Sequence, residues 1–244
     1  MDRIDLPAHQ RGTLAAVLLA LAACAHAADA LTPWSATQDS HPPAPWHVSG
    51  LPHQSKPFTR FAVEPVAGTP ALRVEADRSY GNLLHPLAAS QLRHLSWRWT
   101  MDEPNLLADL HHRSGEDVAV RVCVLFDMPL DKVPLADRAM MLLARGGEPV
   151  PGATVCYIWD QKLAPGTALH SPYTGRIRML VLRGAETPLH QWVSETRDLA
   201  ADFKRLFGDE ADTVPPIMGV LVGGDADNTQ SHSLAHVGPL QLVP

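Results

Sequence analysis

From Asp117 to Phe126 the chain alternates with a period of two. Val118, Val120, Val122, Val124 and Phe126 take one face, and Asp117, Ala119, Arg121, Cys123 and Leu125 take the other. Successive side chains of an extended strand point to opposite sides, so this pattern demands a strand with one face against a core. The stretch from Leu95 to Met101 repeats it, with Leu95, Trp97, Trp99 and Met101 opposed to Ser96, Arg98 and Thr100. Further strands are expected at Phe58–Val66, Ala71–Ala76, Tyr80–Leu84, Ala153–Trp159, Arg176–Arg183, Leu189–Thr196 and Ile217–Val222, with Ser233–Val243 closing the chain. Turn sequences such as Ala67-Gly68-Thr69-Pro70 and Pro165-Gly166 separate them. Many short strands with frequent Gly and Pro turns predict an antiparallel β-sandwich of jelly-roll type.

Two helices interrupt the strands. Leu135 to Arg145 carries apolar residues at helical spacing and stops at Gly146. Asp198 is placed to cap a second helix, in which Leu199, Phe203 and Leu206 share a face and Gly208 follows Lys204 and Arg205. Helices do not alternate with strands, which disfavours a doubly wound α/β fold.

The 244 residues contain no internal repeat, so one sandwich domain is expected over 58–244. Residues 28–57 are rich in Pro, Ser and His and read as a linker or surface arm, with Trp34 and Trp46 as anchors. Residues 1–27 read as a signal peptide: Arg3 and Arg11 precede the apolar run Leu14–Ala23. Cleavage after Ala25-His26-Ala27 gives a periplasmic or secreted protein. Leu21-Ala22-Ala23-Cys24 instead matches a lipobox, with membrane attachment only through a lipid on Cys24. Net charge is −6 and no basic patch is visible, which argues against nucleic acid or an anionic membrane surface as partner. No later run is long enough for a transmembrane helix. Beyond Cys24 the chain has only Cys123 and Cys156; in an oxidising compartment they pair, or they serve as small buried hydrophobes.

Three constellations carry chemistry. The apolar run Ile217–Val222 breaks at Gly223-Gly224 into Asp225-Ala226-Asp227-Asn228-Thr229. Asp225, Asp227 and Asn228 are candidate calcium ligands, although Asp and Asn equally favour tight turns. The spacing departs from an EF-hand, with Gln230 at the sixth position and His236 at the twelfth. The second set is Asp117, Arg121, Tyr157, Trp159 and Tyr173, polar and aromatic residues that would line a groove for a sugar if one sheet face is open. Arg121 needs a partner, since an unpaired charge on an apolar strand is costly, and Asp117 on the same face is expected to supply it. The competing reading is core aromatics and a structural Asp–Arg network that includes Arg176 and Arg178. Third, His111-His112 sits in a polar loop, where adjacent side chains diverge and make a poor metal pair. The chain lacks G-x-S-x-G, H-E-x-x-H, P-loop and G-x-G-x-x-G signatures.

Six blocks now stand in order: LSWRW (95–99), GEDVAVRVCVLF (115–126), PGATVCYIWD (151–160), SPYTGRIRMLVLRG (171–184), QWVSETRDLAADFKRLFG (191–208) and GVLVGGDADNT (219–229). In these the chain resembles the bacterial domain of unknown function 3047 family, a set of exported proteins without established activity. The resemblance spans roughly Leu95 to Leu242. It implies export and a β-rich fold, and supplies no catalytic residues. It also implies polar residues where Gly223 and Gly224 stand, and a Gly-Glu end where Gln230-Ser231-His232 stands. The expected function is a non-catalytic envelope binding protein for a glycan or other polymer. A hydrolase using Asp225 and Asp227 and a structural lipoprotein anchored at Cys24 are the alternatives.

Overall fold

The computed structural model describes residues 31–35, 40–51, 53–143 and 150–244. The signal-peptide reading, with Cys24, lies outside them. The described strands are β1 (His47–Ser49), β2 (Arg60–Val66), β3 (Thr69–Asp77), β4 (Tyr80–Ser90), β5 (His94–Glu103), β6 (Arg121–Phe126), β7 (Ala153–Trp159), β8 (Ala168–Ser171), β9 (Thr174–Arg183), β10 (Val193–Asp198), β11 (Ile217–Asp225), β12 (His232–Val237) and β13 (Gln241–Val243). Helix α1 covers Leu135–Leu143 and α2 covers Leu199–Phe207. They form two sheets: seven strands in the order β1-β4-β11-β6-β7-β9-β8, and six including β10-β5-β12-β3-β2, with β13 added on β5. Pairing is antiparallel except between β7 and β9, which run parallel. The fold is a mainly β two-sheet sandwich with two helices.

Alternation decides what the sheets bury. Val122, Val124 and Phe126 of β6 face Leu95, Trp97, Trp99 and Met101 of β5 across the core. Trp99 meets Trp159 with ring centroids 5.8 Å apart, and Trp97 meets Tyr157 at 5.4 Å. Helix α2 plugs one end of this core with Phe203 and Phe207, the former 4.8 Å from Phe126. Its first turn is held by the Asp198 carboxylate, which accepts the N–H groups of Ala200 and Ala201 at 3.0 Å each.

Beside the unexpected edge strand β8 and the division of the closing segment into β12 and β13, two segments change the reading of the core. The short strand at Tyr80 runs on to Ser90, because β4 is paired on both sides, by β1 and β11. Residues 47–49 of the expected arm form edge strand β1, and Trp34 and Trp46 pack with tilted rings, centroids 4.6 Å apart, inside the core. Their indole N–H groups donate to the Gly238 and Thr32 carbonyls, so these rings have both apolar and polar anchorage.

Candidate functional site

One group of polar residues lies on the outer face of the seven-stranded sheet, the one turned away from the second sheet. Register sets the arrangement: Asn82, Gly223 and Arg121 are neighbours across β4, β11 and β6, and Tyr80 lies beside Asp225 in the next outward row. The Arg121 guanidinium spans that surface. Its Nε and Nη2 donate to Asn82 Oδ1 at 3.2 and 3.0 Å, and its Nη1 donates to Asp225 Oδ2 at 2.9 Å. It also lies 5.3 Å from the centre of the Tyr80 ring. Gly223 is what makes room, since a Cβ there would stand 2.3 Å from Asn82 Oδ1 and 2.9 Å from Arg121 Nε.

The partner of Arg121 is therefore Asp225 and not Asp117. The pair is nearly sealed, with side-chain exposures of 12% and 2%. Burial alone would lower the Arg121 pKa, but Asp225, with Tyr80 and Glu116, raises it and holds the guanidinium protonated. Burial likewise pushes the Asp225 carboxyl up, against the pull of Arg121 and of the Val118 N–H donated to Oδ1 at 2.6 Å.

Asp117 does a different job. Its Oδ1 accepts the Asn228 N–H at 3.0 Å, and its Oδ2 accepts the Thr229 N–H at 2.7 Å, the Thr229 hydroxyl at 2.5 Å and Asn105 Nδ2 at 3.4 Å. One buried carboxylate thus fastens the loop that follows β11. The candidate calcium ligands Asp225, Asp227 and Asn228 have separate protein partners, while Asp227 Oδ1 is buried with none among the described residues. Asp225 is committed to Arg121 and Val118, Asp227 faces Lys56 Nζ at 3.9 Å, and Asn228 Oδ1 faces the Tyr173 hydroxyl at 3.1 Å. Among the described residues, no group of three or more His, Cys, Asp or Glu side chains is arranged to hold a metal ion.

Two of the five expected groove residues are on the wrong side of the sheet. Arg121 sits opposite Ile158, so Tyr157 and Trp159, one residue to either side, point into the core. They are 0% and 2% exposed, and the Tyr157 hydroxyl donates to buried Asp202 Oδ2 at 2.8 Å. A period of two cannot place both sets on one face unless the register between strands is known, and here it separates them. Arg176 and Arg178 are also structural. Arg176 bonds Asp137 of α1, and both bond Glu210 just after α2, which staples the helices to β9.

Tyr173 is the exposed member, at 49%. Its hydroxyl lies 2.9 Å from the Arg113 carbonyl oxygen and 3.1 Å from Asn228 Oδ1, two acceptors that share its proton. The Arg113 guanidinium covers the ring at 5.3 Å and donates to the Pro172 carbonyl. Beside it, Glu116 Oε1 accepts the Ser171 hydroxyl at 2.7 Å. Burial, reinforced by Asp225 and Asp117, pushes the Glu116 carboxyl up to about 7 despite Ser171 and Arg121. Burial and Asp117 push Asp227 upward as well. Glu116, Tyr80 and Asn82 were not singled out by sequence; their one local signal is the outward parity of Tyr80 and Asn82 on β4.

On the floor of the same face, Cys123 and Cys156 are direct cross-strand partners joined by a disulfide. They sit in a small apolar cluster with Leu110, Ile158, Met179 and Val181.

A family model described as protein of unknown function (DUF3047) matches residues 44–241. No curated protein matches the chain. Among solved structures it is similar to endoglucanase 3 of family GH12 from Trichoderma harzianum, with a TM-score of 0.40 and 8% identity over 83% of this chain and 99% of that one. It is also similar to the cellulose induced protein Cip1, with a TM-score of 0.37 and 12% identity over 81% and 90% of the two chains.

Proposed function

Since the chain belongs to the DUF3047 family, whose model spans residues 44–241 and assigns no activity, we propose from its own side chains that it is an exported binding protein for a glycan or other hydroxyl-rich envelope polymer. The contact surface is the outer face of the seven-stranded sheet around Tyr173 and Glu116, over the nearly sealed Arg121–Asp225 pair. Tyr173 carries the reading: a half-exposed ring fixed from behind by Arg113 and Asn228, beside a carboxyl that can donate or accept near neutral pH. A ring already immobilised loses little entropy when a sugar stacks on it, and the neighbouring polar groups suit hydroxyls. Export is proposed from the N-terminal segment, with Cys24 as lipid anchor where the lipobox is used.

Titration of purified mature protein with soluble β-glucan, soluble xylan and peptidoglycan fragments tests the binding. Tyr173→Ala is expected to weaken the preferred polymer about tenfold, the weight of one aromatic stacking contact. Binding to none of the three, or equal binding by the variant, overturns the proposal.

The enzyme alternative is favoured by one observation, the Glu116 carboxyl raised to about 7 by its burial. In that reading Glu116 is the proton donor and Asp227 its partner, because Asp225 is sealed beneath Arg121. Release of reducing ends from the bound polymer, lost in Glu116→Gln, would replace binding by hydrolysis as the function.

A further inference from the structure

A cavity of about 10 Å³ is walled by Trp159, Gln161, Asn105, Asp117 and Asp160 among others. Two of the residues that wall it carry buried donors, Trp159 Nε1 and Gln161 Nε2, with no acceptor among the described residues. A buried indole N–H ordinarily finds a partner, and leaving one unmet costs on the order of 1–3 kcal/mol. The Asp117 carboxylate opposite is already turned toward Asn228, Thr229 and Asn105, and Asp160 Oδ1 toward the N–H groups of Lys162 and Leu163.

We propose that this cavity is a binding site for one internal water molecule, which accepts from Trp159 and Gln161 and donates to the carboxylates of Asp117 and Asp160. Size and polarity leave one class of occupant. A cavity of this volume is at the lower limit for a single water and holds no larger ligand. Two carboxylates on the walls repel an anion, and two inward N–H donors repel a cation. Water alone accepts two bonds and donates two. Bound there, it connects a ring of the sandwich core to the carboxylate that fastens the loop after β11. The buried position of Trp159 is then explained by its role as a donor as well as by its apolar area.

The test is water-to-indole cross-relaxation by NMR on the mature protein, with Trp159→Phe to assign the resonance. The Trp159 indole proton is expected to show a cross-peak to water with the sign of a long-lived site. Trp97 is the internal control: its Nε1 is equally buried and unpartnered but does not border the cavity, so no cross-peak is expected. Gln161→Leu, which keeps the packing but removes one donor, is expected to abolish or shorten the signal. Absence of the Trp159 cross-peak, an equal one at Trp97, or an unchanged one in Gln161→Leu each overturns the site.

Discussion

The outer faces of the two sheets are both polar, yet they solve their electrostatics in opposite ways. On the outer face of the six-stranded sheet Glu64, Glu75, Asp102 and Glu103 each meet a cation or an imidazole. His236 of β12 has Nδ1 2.6 Å from Asp102 Oδ2 and Nε2 2.7 Å from Glu64 Oε1. Both acceptors are carboxylates, so both nitrogens must carry protons and the ring is an imidazolium. Burial alone would lower its pKa, but Asp102 and Glu64 raise it. Arg73, opposed by burial and helped by Arg60 and His232, draws Glu75 down to about 2. On the seven-stranded sheet the sign reverses: Glu116, Asp225 and Asp227 are all raised, with burial the largest cause for each. A face whose charges are satisfied internally has little left for a ligand. A face with carboxyls held above their ordinary range retains capacity to bind one.

The largest expected effect breaks that second face. Asp225→Ala leaves the Arg121 guanidinium buried with only Asn82 and Tyr80, and should cost about 3–5 kcal/mol in urea unfolding. His236→Ala on the more open face should cost clearly less; an equal loss would end the contrast. Next is Asp117→Ala, expected to cost about 2 kcal/mol through the donors it strands. Amide exchange at Asn228 and Thr229 should quicken in that variant, while exchange in β12 should not.

The pH dependence sharpens the comparison further. Glu116 has a folded pKa of about 7, above its unfolded value of about 4.5, so the folded state holds the extra proton and stability falls as pH rises between the two. Glu116→Gln should remove that slope and stabilise the protein at pH 8. Glu75 is the mirror case: its folded pKa of about 2 gives stability present above about 4.5 and lost as pH falls toward 2. The His236 contribution is fully present below about 6.5 and lost as pH rises through its elevated folded value. Unfolding free energy from pH 3 to 9 for Glu116→Gln and His236→Asn separates these windows. Smallest of all is the stability effect of Tyr173→Ala, within about 0.5 kcal/mol by melting, since that ring is half exposed. A larger loss would make Tyr173 a structural residue and move the binding face elsewhere.

By itself the sequence determined whatever depends on neighbours along the chain. Alternation through Leu95–Met101 and Val120–Phe126 places the core side chains, because strand geometry fixes parity locally. Asp198 caps α2 because its carboxylate needs only the N–H groups two and three residues on. The demand that Arg121 be compensated was equally legible, as a rule about buried charge. Which residue answers that demand was decided only by the tertiary structure. Asp225 lies 104 residues further along and reaches Arg121 because β11 pairs with β6 in one register, with a glycine at 223 leaving space for the side chain. The register of β6 on β7 turned Tyr157 and Trp159 inward, and the contact with the loop at 228–229 took up Asp117. Parity is a property of one strand, whereas facing partners belong to a pair of strands, and pairing energies are summed over the whole sheet.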